Sequence, residues 1–205
     1  MSSGKTLLVA ITGNSGCGQT TAASFVEGLV TGICSLDRIG HRLLEKEYVL
    51  RELEEALGMS DAGTMGKTRL RRKLSGIVFS DPDKMEKLNY VVHPRMKGWA
   101  GLCSSILSRR GGIWVLEGAL IFELGLDDLF HRTVVIRDTL ERCALRLESR
   151  DGISREMTEN RWSNQMPMEE KVSRGDFVAD NSRDADYLRG QILSIFAEIR
   201  NSLNS

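Results

Sequence analysis

The chain has 205 residues, 41% hydrophobic and 27% charged, with 28 basic and 28 acidic side chains and a formal net charge of zero. That length suits one α/β domain or a core with an inserted subdomain. Balanced charge argues against a general nucleic-acid binder, which carries a basic excess, and no apolar run reaches membrane-spanning length, so neither nucleic acid nor membrane is expected as a partner.

The predicted elements begin with a short buried strand at 7–12. It runs into AITGNSGCGQTT, residues 10–21. The pattern G-x-x-x-x-G-K-[ST] is met there by Gly13, Gly18 and Thr20, and fails at one position, where Gln19 replaces lysine. In such a loop, glycines let backbone N–H groups converge on an anion, and the next helix adds its free amides and positive dipole end. A Ser/Thr hydroxyl meets magnesium, and a lysine reaches the β- and γ-phosphates. Every part but the lysine is present. Gly13, Asn14, Ser15, Gly16, Cys17, Gly18, Gln19, Thr20 and Thr21 are therefore expected to bind nucleotide phosphates, with Gln19 as a neutral donor at the catalytic position. Two other G-K-T sequences are discounted: Gly4-Lys5-Thr6 precedes the strand, and Gly66-Lys67-Thr68 has no strand before it.

A helix is expected at 20–30, then a second strand at 33–36 ending at Asp37. Ligands of open α/β sheets lie outside the carboxyl ends of the strands. A carboxylate there can accept a hydroxyl proton, or cap the helix that starts near Ile39. Residues 43–110 are long, helical and charged, and read as an inserted helical subdomain. Within it Ser80-Asp81-Pro82 marks a helix start, and His93, biased from helical dihedrals by Pro94, marks a helix end. A third strand at 113–116 ends at Glu117, which can hold magnesium through water or serve as an acid at a helix start. A fourth strand lies at 133–136, and residues 140–171 form a second, arginine-rich helical insertion. Arg146 and Arg150, four apart, share one helix face. A fifth strand at 177–178 and a packing helix at 185–203 complete a parallel sheet covered on both faces. The four cysteines lie far apart and read as reduced thiols. The first residues lack a signal-peptide layout, and a cytoplasmic protein is expected.

Taken in order, GNSGCGQTT, SLDRIGHRLL (35–44), GIVFSDPDKMEKLNYVVHPRM (76–96), VLEGALIFELGLDDLFHRTVVI (115–136), RLESRDGIS (146–154) and NQMPMEEKVSRGDFVADN (164–181) resemble the dephospho-coenzyme A kinases, members of the P-loop nucleotide kinases. Asp37 stands for the second aspartate of a D-A-D segment, Ser35 replaces the first, and Ala119 stands where proline is usual. The resemblance implies a P-loop kinase-type three-layer α/β sandwich with a mostly parallel five-stranded sheet. It implies a nucleotide core (1–58, 111–137 and 171–205), a helical CoA subdomain (59–110) and a lid (138–170). The implied reaction moves the ATP γ-phosphoryl to the ribose 3′-hydroxyl of dephospho-CoA, with Mg2+. Asp37 would be the general base, and Arg150 and Arg146 the lid cations that meet ATP and stand in for the missing lysine. Thr20 and Glu117 would hold the metal, Asn181 would lie at the adenine, and His93, Arg95 and Lys97 would meet the CoA substrate. A loop without lysine leaves two alternatives: a P-loop protein that binds nucleotide or CoA without efficient transfer, and a related kinase for another hydroxyl acceptor.

Overall fold

The computed structural model describes residues 5–59, 73, 74, 76 and 81–204. Five strands form one parallel sheet: β1 (Thr6–Thr12), β2 (Gly32–Ser35), β3 (Gly112–Glu117), β4 (Arg132–Arg137) and β5 (Phe177–Asp180), in the order β2-β3-β1-β4-β5. β1 is central and pairs Val9 with Val115 on one side and Ile11 with Val134 on the other. Successive side chains of a strand point to opposite faces, yet all of Leu7, Leu8, Val9, Ala10 and Ile11 are buried. Both faces of the sheet are therefore covered, which is why β1 reads as one apolar run without alternation. Right-handed crossovers explain the covering. The chain moves one way from β1 to β2 and the other way from β3 to β4 and β5, so the connecting helices fall on opposite faces.

The helices are α1 (Gln19–Ser24), α2 (Leu36–Leu43), α3 (Glu47–Leu57), α4 (Pro82–Leu107), α5 (Leu140–Asp151), α6 (Arg155–Ser163), α7 (Met168–Arg174) and α8 (Ala185–Asn204). The chain divides into two compact units, 1–36 with 100–205, and 37–99. In the first, Leu188, Ile192, Phe196 and Ile199 of α8 and Ala22 and Ala23 of α1 join the strands in one core. In the second, Val49, Leu53 and Leu57 recur every four residues along α3 and pack with Met59, Leu74 and Val91.

Two expected boundaries move. The helix after the glycine loop stops at Ser24 instead of running to residue 30. The Ser24 hydroxyl donates to the Thr21 carbonyl at 2.7 Å, and Phe25, Val26 and Glu27 donate three residues back rather than four, so the segment continues as tight turns. The helix end expected at His93 is absent: α4 passes through Pro94 to Leu107. Proline removes one donor and biases the residue before it, but the bias is a preference. The expected cap at the start of α4 is there in part. Asp81 Oδ1 accepts from the amides of Asp83 and Lys84, with Pro82 first in the helix, while Ser80 and the second G-K-T lie outside the described residues.

The edge of the sheet carries a pH-sensitive tie. The Asp180 carboxyl is held down at about 2, chiefly by hydrogen bonding from Ser182; burial opposes this, and the Arg137 guanidinium 2.7 Å away adds to it. A folded-state value below the unfolded one, near 3.9, gives stability that is present above about pH 4 and lost as pH falls towards 2. Asp180→Asn should remove this dependence. The gap in unfolding free energy between wild type and variant, measured by urea titration, should close between pH 5 and pH 2.

Candidate active site: a glycine loop gripped from the lid side

The loop leaves the carboxyl end of the central strand at Gly13. The strand order reverses about β1, so this is the switch point where ligands of such sheets bind. Gly13 turns with φ 155°, and a Cβ there would lie 2.4 Å from the backbone oxygen of Ile136. Gly18 sits at φ 102°, and a Cβ on it would meet the Asn181 side-chain nitrogen at 2.5 Å. Only glycine fits either place. The Cys17 amide closes the turn onto the Asn14 carbonyl at 3.0 Å.

Gln19 is 7% exposed and folds back under this turn. Its Nε2 donates to the carbonyls of Gly13 at 2.6 Å and Asn14 at 3.0 Å. Both amide hydrogens are thus engaged by the loop. In a trans peptide the carbonyl and the next N–H point in opposite directions. Drawing the Gly13 and Asn14 oxygens towards Gln19 turns the Asn14 and Ser15 amides the other way, and the Ser15 amide there meets Gln165 Oε1 at 3.0 Å.

Residues distant in sequence hold the rest of the loop. Trp162 Nε1 donates to the Ser15 carbonyl at 2.9 Å, and Gln165 bridges the Ser15 amide (3.0 Å) and hydroxyl (3.1 Å). Arg146 Nη1 donates to the Gly16 carbonyl at 3.1 Å, and its Nη2 reaches the Asn181 carbonyl at 2.8 Å and the buried Asp138 carboxylate. Asn181 Nδ2 donates to the Cys17 carbonyl at 2.8 Å. Cys17 and Cys143 are free thiols in contact at 3.4 Å. That hydrogen bond, and then burial, push the Cys143 thiol far above its ordinary range, so it stays protonated. Arg146 and Asn181 therefore stand at the loop. Arg150 does not: its guanidinium is exposed and paired with Asp151 at 2.6 Å, which raises its pKa.

Thr20 and Glu117 come together because Ile11 of β1 is in register with Glu117 of β3. The Thr20 hydroxyl donates to Glu117 Oε2 at 3.1 Å, and Glu117 is 4% exposed. A hydroxyl and a carboxylate make an all-oxygen donor pair, which suits a hard divalent cation.

The remaining expected site residues belong to the second unit. Asp37 is exposed in the first turn of α2, directly after β2. His93 is half-buried and Lys97 exposed, both on α4. Arg95 donates to the Val91 carbonyl, pairs with Glu52 at 2.5 Å and lies over the Tyr48 ring.

Sequence reasoning singled out none of Trp162, Gln165, Asp138 or Lys171. Lys171 is fully buried, its Nζ 2.7 Å from the Ala119 carbonyl, 2.8 Å from Glu123 Oε1 and 3.4 Å from the Gly13 carbonyl. In MEEKVSR it looks like any solvated helix lysine.

A glycine loop at the switch point of an all-parallel sheet in this order, opening a helix whose second residue is Thr20, defines a P-loop nucleotide kinase. Solved structures agree. TT1252 from Thermus thermophilus superposes with TM-score 0.72 at 30% identity, covering 95% of this chain and 98% of that one. A dephospho-CoA kinase from Campylobacter jejuni shares the fold, with TM-score 0.68 at 24% identity over 96% of this chain and 98% of that one. A family profile described as Dephospho-CoA kinase matches residues 7–186. A dephospho-CoA kinase of Leptospira interrogans is 33% identical over 197 residues, 95% of this chain and 94% of the relative. The chain belongs to the dephospho-CoA kinase family, ATP-dependent kinases that catalyse the last step of coenzyme A biosynthesis.

The close approach at Gly13 makes a sharp test. Gly13→Ala places a methyl against the Ile136 backbone oxygen, so the loop must shift. ADP affinity measured by calorimetry should fall at least about tenfold, since a misplacement near 1 Å costs on the order of 10²-fold in a positioned site.

Proposed function

We propose that this chain transfers the γ-phosphoryl group of ATP to the ribose 3′-hydroxyl of dephospho-CoA, with its nucleotide site at residues 13–21. The observation that carries this reading is the glycine loop with Thr20 and Glu117 beside it, in a chain that matches its family almost end to end. Phosphoryl transfer asks little covalent chemistry of a protein; it needs positioning and compensation of charge. The loop amides and the start of α1 cradle the phosphates. Thr20 and Glu117 would hold Mg2+, which suits their oxygen pair and would compensate charge on the phosphate oxygens.

The finer assignments rest on chain position. Asp37, at the carboxyl end of β2, accepts the 3′-hydroxyl proton as transfer proceeds. His93, Arg95 and Lys97 of α4 meet the CoA substrate in the helical subdomain. Arg146 and Asn181 serve the nucleotide from the loop's far wall. Arg150 leaves Asp151 to meet phosphate charge when the lid (138–170) closes; an exposed ion pair is worth about 0–1 kcal/mol, a small barrier to that exchange. We assign this activity to the cytoplasm.

Incubation with Mg-ATP and dephospho-CoA should yield CoA, detected by mass; ADP binding without any CoA would favour a binding module instead. Asp37→Asn should lower turnover by about 10²–10⁴ while dephospho-CoA affinity changes far less. Near-wild-type turnover in that variant would remove Asp37 from the role.

Arg150→Ala should lower turnover more than ADP affinity, because its guanidinium meets charge that develops during transfer. Equal losses would mark it as a ground-state contact, and no loss as a surface residue.

A further inference from the structure

We propose that Lys171 is the positioning residue that sets the phosphate loop, and that it brings to the Gly13 carbonyl the positive charge that Gln19 lacks. This rests on the reading of residues 13–21 as a nucleotide site.

A buried ammonium is costly unless it is paired and hydrogen-bonded. Lys171 meets that demand in a specific way. Glu123 supplies the opposite charge at 2.8 Å, while the ammonium also reaches two backbone oxygens, one on each side of the site. Ala119 lies two residues beyond Glu117, on the segment that leaves β3, and Gly13 is the first residue of the glycine loop. One ammonium therefore ties α7 to the segments that leave β1 and β3. Glu123 in turn accepts the Met166 amide at 2.9 Å, fastening the residues just before α7.

The Gly13 oxygen is where the two side chains meet. It accepts Gln19 Nε2 at 2.6 Å and faces Lys171 Nζ at 3.4 Å. Fixing this oxygen fixes the direction of the Asn14 N–H across the same peptide plane. Lysine at position 19 would reach this carbonyl with a charge of its own. Here glutamine makes the contact and a second residue, 158 positions away, carries the charge. The arginines of the lid, to which the sequence pointed, are placed otherwise: Arg146 grips Gly16, and Arg150 pairs with Asp151.

Three variants separate positioning from stability. Lys171→Met removes the ammonium and leaves Glu123 unpaired, so a loss of thermal stability is expected from it alone. Lys171→Met with Glu123→Gln removes both charges and should regain most of the thermal midpoint. ADP affinity, by calorimetry, should remain down about tenfold or more, and turnover on the order of 10²-fold. Adding Gln19→Lys to that pair returns an ammonium to the Gly13 carbonyl. It should raise ADP affinity by a larger factor than Gln19→Lys does in the wild-type chain. Recovery of ADP affinity together with stability in the neutralised pair would reduce Lys171 to an ion-pair partner and overturn the proposal. So would an equal effect of Gln19→Lys with and without Lys171. Because ADP affinity is read separately from CoA formation, a chain that binds ADP but makes no CoA overturns the proposed reaction and still decides this inference.

Discussion

The direction of two peptide planes, Gly13–Asn14 and Asn14–Ser15, governs what this site can hold. Their oxygens face Gln19, so their amides face the other way, that of Ser15 onto Gln165 Oε1. The oxygens are drawn inward by Gln19 Nε2 and, at Gly13, by Lys171 as well. A backbone oxygen buried without a partner costs about 1–3 kcal/mol, so the inward donors hold the planes against the alternative turn. The sheet sets where those planes start, since β1 is held on both sides, by β3 and β4. The glycines make the turn sterically open; the donors beneath make it singular.

Much of this was legible in the residues. The five strands are short apolar runs, and burial on both faces makes such runs easy to see. The glycine loop announces itself because anion binding by backbone requires glycine at fixed offsets. Glu117 is readable as a strand end, and its neighbourhood with Thr20 follows from the parallel register of β1 and β3. What stayed hidden depends on contacts with no local signature. Trp162 and Gln165 reach Ser15 across 147 and 150 residues, and nothing in the spacing of either announces it. Lys171 is the strongest case, because helix periodicity assigns a lysine in MEEK to water. The course of α4 through Pro94 was misread for a different reason: a dihedral preference of His93 lost to the hydrogen bonding of a helix of 26 residues.

Residues 143–171 do more than cover the loop. Trp162, Gln165, Arg146, Cys143 and Lys171 come from four consecutive pieces of chain, and each touches the loop. Four of these residues engage loop backbone atoms, which ties the shape of the loop to the packing of α5, α6 and α7. Substitutions in those helices can therefore alter the loop from a distance. The buried Cys143 thiol, held protonated, meets Cys17 at the loop without bringing a thiolate to it.

The span between Gly13 and Lys171 also bears on how the chain is made. Domains fold as the chain emerges, from the N-terminus onward. The glycine loop leaves the ribosome 158 residues ahead of the ammonium that faces its first carbonyl. Synthesis thus delivers the loop well before one of the donors beneath it. Nascent chains that stop before α7 carry the entire loop motif without the ammonium that faces its first carbonyl, so the motif and its support reach the folding protein separately.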